Sequence, residues 1–116
     1  MTIVPLTTYL KMYRKRTGLT HEEVAFLLGS MSGTSVSRHE LAQRLPILKT
    51  ALRYEAIFGA AVRDLYEGLF LETKEMVRVR ARGLCASLER RKKTPYVMRK
   101  IAYLRTIIGE EGGATE

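Results

Sequence analysis

At 116 residues the chain is long enough for one domain, or for one small domain with an appendage. An apolar share of 46% suits a globular core and excludes a largely disordered chain. Twenty Lys and Arg against twelve Asp and Glu leave a net +8, which favours a polyanionic partner, with a solvated basic surface as the plainer reading. The lone Cys85 excludes an internal disulfide framework and points to a reducing compartment. The opening residues Met1-Thr2-Ile3-Val4-Pro5-Leu6 lack the charged and long apolar regions of a signal peptide, and the apolar run from Val24 to Leu28 is too short to span a bilayer. The expected setting is the cytoplasm, with no membrane partner.

A first helix is expected from about Leu6 to Thr17, with Thr7 or Thr8 near its start. Leu10 and Tyr13 stand three apart on its inner side, while Lys11, Arg14, Lys15 and Arg16 give it a basic flank. Gly18 ends it, since glycine takes the positive φ of a helix stop without a Cβ penalty. Thr20 and Glu23 have capping-box spacing, in which each side chain accepts from the other residue's backbone N–H. The second helix therefore starts at Thr20, turns Val24, Ala25 and Leu28 inward, and closes at Gly29. Ser32 is the expected N-cap of a third helix, residues 33–40, whose one strongly apolar residue is Val36. A helix this polar is either weakly stable or shaped for an external partner. Beyond Pro46, a fourth helix is expected from Leu48 to Phe58, ended by Gly59, and a fifth from Val62 to Tyr66, followed by Gly68. No segment alternates like a strand, so the class is all-α. Val36, Ala25, Leu28, Leu52 and Leu65 are the expected core, each on the inner stripe of its helix.

The remainder is patterned differently. Val77, Ala81, Leu84 and Leu88 are spaced four, three and four, and Val97, Ile101, Leu104 and Ile108 repeat that spacing. Between them, Arg90-Arg91-Lys92-Lys93 leads to Thr94, which can cap a new helix, and to Pro95, which fits its first position. Two amphipathic helices forming an antiparallel hairpin are expected. The expected division is a domain over residues 1–70, the hairpin over 71–109 and a frayed tail over 110–116. A lone hairpin leaves one side of each helix uncovered. Met76, Val79, Cys85, Met98 and Tyr103 lie off the main stripes and supply a second surface, expected to meet a second copy of the chain. Packing back on the first domain, or against another protein, are the alternatives. Cys85 also fits as a small core residue.

Arg14, Gly18-Leu19-Thr20, Glu23, Ala25, Leu28-Gly29, Val36-Ser37-Arg38, Glu40 and Pro46 follow one another at a characteristic spacing. In this order they resemble the helix-turn-helix proteins of the XRE family, which includes the lambdoid phage repressors and Cro. The resemblance covers residues 10–69. It implies a five-helix lambda-repressor-like DNA-binding domain, with the second helix of the motif in the major groove and the first across the phosphate backbone. It implies that Gly33, Thr34, Ser37 and Arg38 face base edges. Arg38 can donate two bonds to guanine O6 and N7, or can clamp a phosphate, or simply be solvated. It sets His21 where the family often directs Gln at a phosphate, although a surface residue beside a cap reads equally well. Ser32, Arg44 and Lys49 are further expected phosphate contacts, although Arg44 and Lys49, which flank Pro46, read equally well as ordinary surface charges. It also implies an ion pair between Arg14 and Glu40 that orients the reading helix. The chain departs from the family at Leu41-Ala42, where a basic residue and Gly are usual. Ala in a left-handed position costs about 1 kcal/mol, so either that strain is tolerated or the third helix runs on toward Gln43. Phe26 is expected to be partly exposed, against the usual preference for burial.

The expected function is sequence-specific binding of double-stranded DNA by a transcriptional regulator, most simply a repressor. A homodimer would set its two reading helices about 34 Å apart. No nucleophile–base pair, paired carboxylates, phosphate loop or zinc signature stands in the chain, and His21 and His39 lack metal-ligand neighbours. Neither an enzyme nor a cofactor is expected. Two rivals remain: an adaptor that has kept the fold, and an antitoxin whose hairpin neutralises a toxin.

Overall fold

The computed structural model describes residues 8–29 and 31–109, which form seven helices and no strand. The expected starts at Leu6 and Thr7 and the tail from residue 110 onward lie outside the described residues. The chain divides into two compact units after Leu71.

In the first unit, α1 spans Leu10–Thr17, with the Thr8 hydroxyl accepting from the Leu10 N–H at 3.0 Å. Gly18 stops it at φ 80°. The capping box forms as expected at the head of α2, His21–Leu28: Glu23 N–H donates to Thr20 Oγ1 at 3.1 Å and Thr20 N–H to Glu23 Oε1 at 2.9 Å. Helix α3, Gly33–Glu40, is capped by the Ser32 hydroxyl, which accepts from Ser35 N–H at 3.2 Å. Helices α4, Leu48–Phe58, and α5, Val62–Leu65, follow. The Glu55 carboxylate accepts from Val62 N–H at 3.1 Å and so closes the turn between them.

Leu10, Val24, Ala25, Leu28, Val36, Tyr54, Leu65 and Tyr66 form the core of this unit. The expectation for Leu52 is corrected: it is 52% exposed. Helix α4 instead buries Thr50, Ala51 and Tyr54. The inner stripe is set by Tyr54, whose ring stacks on Phe58, so a residue two positions earlier falls on the outer side.

Helix α6 spans Glu67–Glu89. Gly68 therefore does not terminate a helix but sits in the first turn of the next. In the second unit, α6 pairs with α7, Pro95–Ile108, capped by the Thr94 hydroxyl with Pro95 leading, as expected. Leu88, Val97 and Ile101 form their shared core, with Cys85 and Leu104 packed against it. The α6 stripe is corrected: Ala81 and Leu88 are buried, but Val77 and Leu84 are 46% and 51% exposed. The seam runs through Cys85 instead of Leu84. Positions 81, 85 and 88 are as helical in spacing as 81, 84 and 88, and only the partner helix selects between them.

Candidate nucleic-acid interface

The site is built on the α2–α3 pair. Val36 anchors α3 to the core, 1% exposed, and leaves Thr34 and Arg38, one turn apart, facing solvent with Ser37 half-buried beside them. Thr20, His21, Glu22, Gly33, Thr34 and Ser37 line a polar concavity of ≈ 440 Å³ where the two helix heads meet.

Two expected contacts change role. Gly33 is buried, and its N–H donates to Glu22 Oε2 at 3.2 Å. A Cβ at this position would lie 3.3 Å from the His21 Cβ and would clash with the Glu22 carboxylate. Gly33 thus allows close approach of α3 to α2 and offers no side chain to a base. His21 Nε2 lies 3.0 Å from Glu40 Oε1, so the ring is tied to the end of α3 while its side chain stays 38% exposed. Ser32 is spent as the cap but remains exposed; Arg44 and Lys49 are exposed, on the α3–α4 connection and in the first turn of α4.

The ion pair of Arg14 and Glu40 is present and forked. Arg14 Nε donates to Glu40 Oε2 at 2.5 Å and Nη2 to Oε1 at 3.3 Å, while Nη1 donates to the Leu19 carbonyl at 3.2 Å. One guanidinium therefore ties α1, the α1–α2 turn and the end of α3 together. Burial alone would raise the Glu40 carboxyl, but the hydrogen bonds from Arg14 and His21 outweigh it and hold the pKa below its ordinary value.

Helix α3 ends at Glu40. Ala42 takes φ 59°, its N–H donates to the His39 carbonyl at 3.1 Å, and Gln43 N–H donates to the Arg38 carbonyl at 2.9 Å. This is a Schellman closure with Ala where Gly is usual, so the strain is tolerated rather than avoided.

Three features escape the sequence reading. His39 is fully buried, its Nδ1 2.8 Å from the Tyr54 hydroxyl and its ring edge-on to that tyrosine. Its place three residues after Val36, on the same inner stripe, was the available signal. Burial lowers the His39 pKa, and the charge of Arg44 lowers it further. Burial also raises the Tyr54 phenol and pushes Tyr66 up to about 12. Arg53 Nη1 donates to the Leu28 carbonyl at 3.0 Å and so braces the turn before α3. Glu22, on α2, is the one carboxylate lining the concavity, and it accepts from the backbone N–H of Gly33 on α3. Neither contact has a local sequence signature, because both partners lie on other helices.

The five expected dimerisation residues do not form one surface. Cys85 belongs to the hairpin seam, whereas Met76, Val79, Met98 and Tyr103 are exposed. Met98 and Tyr103, five positions apart, face directions roughly 140° apart around α7. Among the described residues, no group of three or more His, Cys, Asp or Glu is placed to hold a metal ion, and no helix is long and apolar enough to cross a membrane. No protein-family model, no curated protein and no solved structure matches this chain.

Proposed function

We propose that this chain is a sequence-specific double-stranded-DNA-binding regulator of transcription, most simply a repressor, with an XRE-type, lambda-repressor-like domain formed by α1–α5. The observation that carries the reading is the state of α3. Three of its eight residues, Gly33, Val36 and His39, are buried, and it is held in place by a forked, mostly buried ion pair at one end and a tight glycine contact at the other. Fixing a helix so firmly while leaving Thr34 and Arg38 in solvent has a use if those side chains must meet an external surface in register. In this reading Arg38 donates to a base edge, Thr34 and Ser37 supply further polar contacts, and Arg44 and Lys49 hold flanking phosphates. The operator is bound as a homodimer, with the exposed pair Met76 and Val79 on α6 as the contact between copies.

The test is selection of bound duplexes from random-sequence DNA by the full chain at stated salt. A recovered consensus with two related half-sites is expected. Absence of any sequence preference at every salt concentration would reject the reading. A second reading, an adaptor or antitoxin that captures a protein through the hairpin, draws on the exposed apolar side chains of α6 and α7 and would then take over.

A further inference from the structure

The charge of the chain is unevenly placed. Residues 72–109 hold eleven Lys and Arg against three Glu, a net +8, whereas residues 1–71 hold nine against six. Helix-turn-helix readers concentrate charge where they meet phosphate, yet here the greater excess lies on the hairpin. Two of its three carboxylates are already engaged: Glu75 lies 3.9 and 4.0 Å from Arg78 and Arg82, and Glu89 lies 2.9 and 3.7 Å from Arg105 and Lys93. Arg99 and Lys100 have no described carboxylate within ion-pair distance; Arg99 instead lies over the Tyr96 ring, 5.4 Å from its centroid.

Arg99, Lys100 and Tyr103 stand three, four and seven positions after Tyr96 along α7, and the four so share one face of it. The apolar stripe of Val97, Ile101 and Leu104 is turned into the pairing with α6. The two tyrosines on the other face are 70% and 67% exposed. Beside them, Leu84, Arg99, Lys100, Tyr103 and Leu104 line a groove of ≈ 390 Å³ that crosses from one helix to the other.

We propose that this face of the hairpin binds single-stranded nucleic acid, its cations following the phosphates and Tyr96 and Tyr103 stacking on unpaired bases. Phosphate attraction alone needs no aromatic rings, and in a duplex the base faces are already stacked on one another. Rings standing in water on a rigid helix, interleaved with cations that no described carboxylate pairs, suit bases that have no stacking partner. A second copy of this chain is the poorer occupant of this face, because self-docking there would bring Arg99 and Lys100, the only charges on it and both cationic, against their own counterparts. The inference is independent of operator reading by α3, since none of its residues lies in the first unit.

The experiment measures binding of the full chain, by fluorescence anisotropy, to a labelled mixed-sequence single strand of roughly 16 nucleotides and to the matching duplex. DNA and RNA strands are run in parallel, and binding of either supports the proposal. The double variant Tyr96→Ala, Tyr103→Ala is expected to lose roughly tenfold or more in single-strand affinity, with duplex affinity unchanged. Tyr96→Phe, Tyr103→Phe should retain the binding. Both tyrosines are exposed, so circular dichroism should report an intact fold in each variant. Three outcomes overturn the proposal: no single-strand binding by the unmodified chain, equal losses on strand and duplex, or no loss in the alanine variant. Loss of a dimer by light scattering in that variant would assign the face to a second copy and overturn it as well. Arg38→Ala, run alongside, should change duplex discrimination only, which separates failure here from failure of the operator reading.

Discussion

Ala42 carries a backbone conformation that its Cβ resists, at φ 59° in the closure of α3. Ala42→Gly is therefore expected to stabilise the chain by about 1 kcal/mol, read as a raised urea midpoint at unchanged slope. An unchanged or lowered midpoint would mean that the closure carries no such strain. The Arg14–Glu40 fork has the opposite sign. Removing Arg14 leaves Glu40, with its side chain 5% exposed, without its main partner. Arg14→Ala should cost roughly 1–3 kcal/mol, and a double-mutant cycle with Glu40→Gln should show coupling, where strict additivity would deny the interaction. His39 introduces a pH dependence. Its folded pKa lies below 6.5 and that of Glu40 below 4.5, so in both cases the unfolded chain takes up the proton first as the pH falls. Their stabilising contribution is complete above about pH 6.5, declines below it as His39 is forced to protonate, and declines again through the Glu40 range. Unfolding midpoints measured from pH 7 to pH 5 should fall. His39→Gln, which can keep a bond to Tyr54, should flatten that slope.

At the scale of elements, α3 and the start of α4 make separable contributions to the proposed activity. Arg38 is exposed one turn beyond Thr34, on the face expected to meet bases. Arg38→Ala should reduce discrimination between operator and random duplex by roughly 1–3 kcal/mol if its contact is bidentate. Lys49 is exposed in the first turn of α4, and Lys49→Ala should weaken specific and non-specific binding alike and lower the salt slope by about one. Titrations of both variants against both duplexes over a range of salt decide the matter. Equal effects of the two substitutions would remove the distinction between reading and positioning.

For the whole molecule, the opposing terms in self-association are the exposed Met76 and Val79 on α6 and the charge of the hairpin that presents them. Repulsion between two such hairpins acts over a Debye length of about 8 Å at physiological salt and about 3 Å at 1 M. Dimerisation is therefore expected to tighten as salt rises, while duplex binding weakens. Light scattering should find a species of twice 13.2 kDa at the higher salt, and Met76→Ser with Val79→Ser should return it to the monomer mass. A monomer at every salt concentration would remove the dimer from the proposed mechanism.

Much of the fold was legible from local chemistry. The capping box at Thr20 and Glu23, the Ser32 and Thr94 caps, the glycine stops and the inner positions Ala25, Leu28, Val36 and Leu65 each depend on groups within a few residues of one another. The Arg14–Glu40 pair, whose partners are 26 residues apart, was accessible only through the family resemblance. What the sequence by itself determined is the helical class, most helix ends, the inward stripes of α1 and α2, and the single anchor Val36 of α3. Those follow from periodicity and from hydrogen bonds that close within one turn. The tertiary structure alone decided that Leu52 faces out, that the α6 seam passes through Cys85, that Gly33 is a contact between helices and that His21 turns to Glu40. A helix offers several stripes of equal spacing, and a side chain several partners. Which is taken depends on the shape and charge of a neighbour that is distant in the chain.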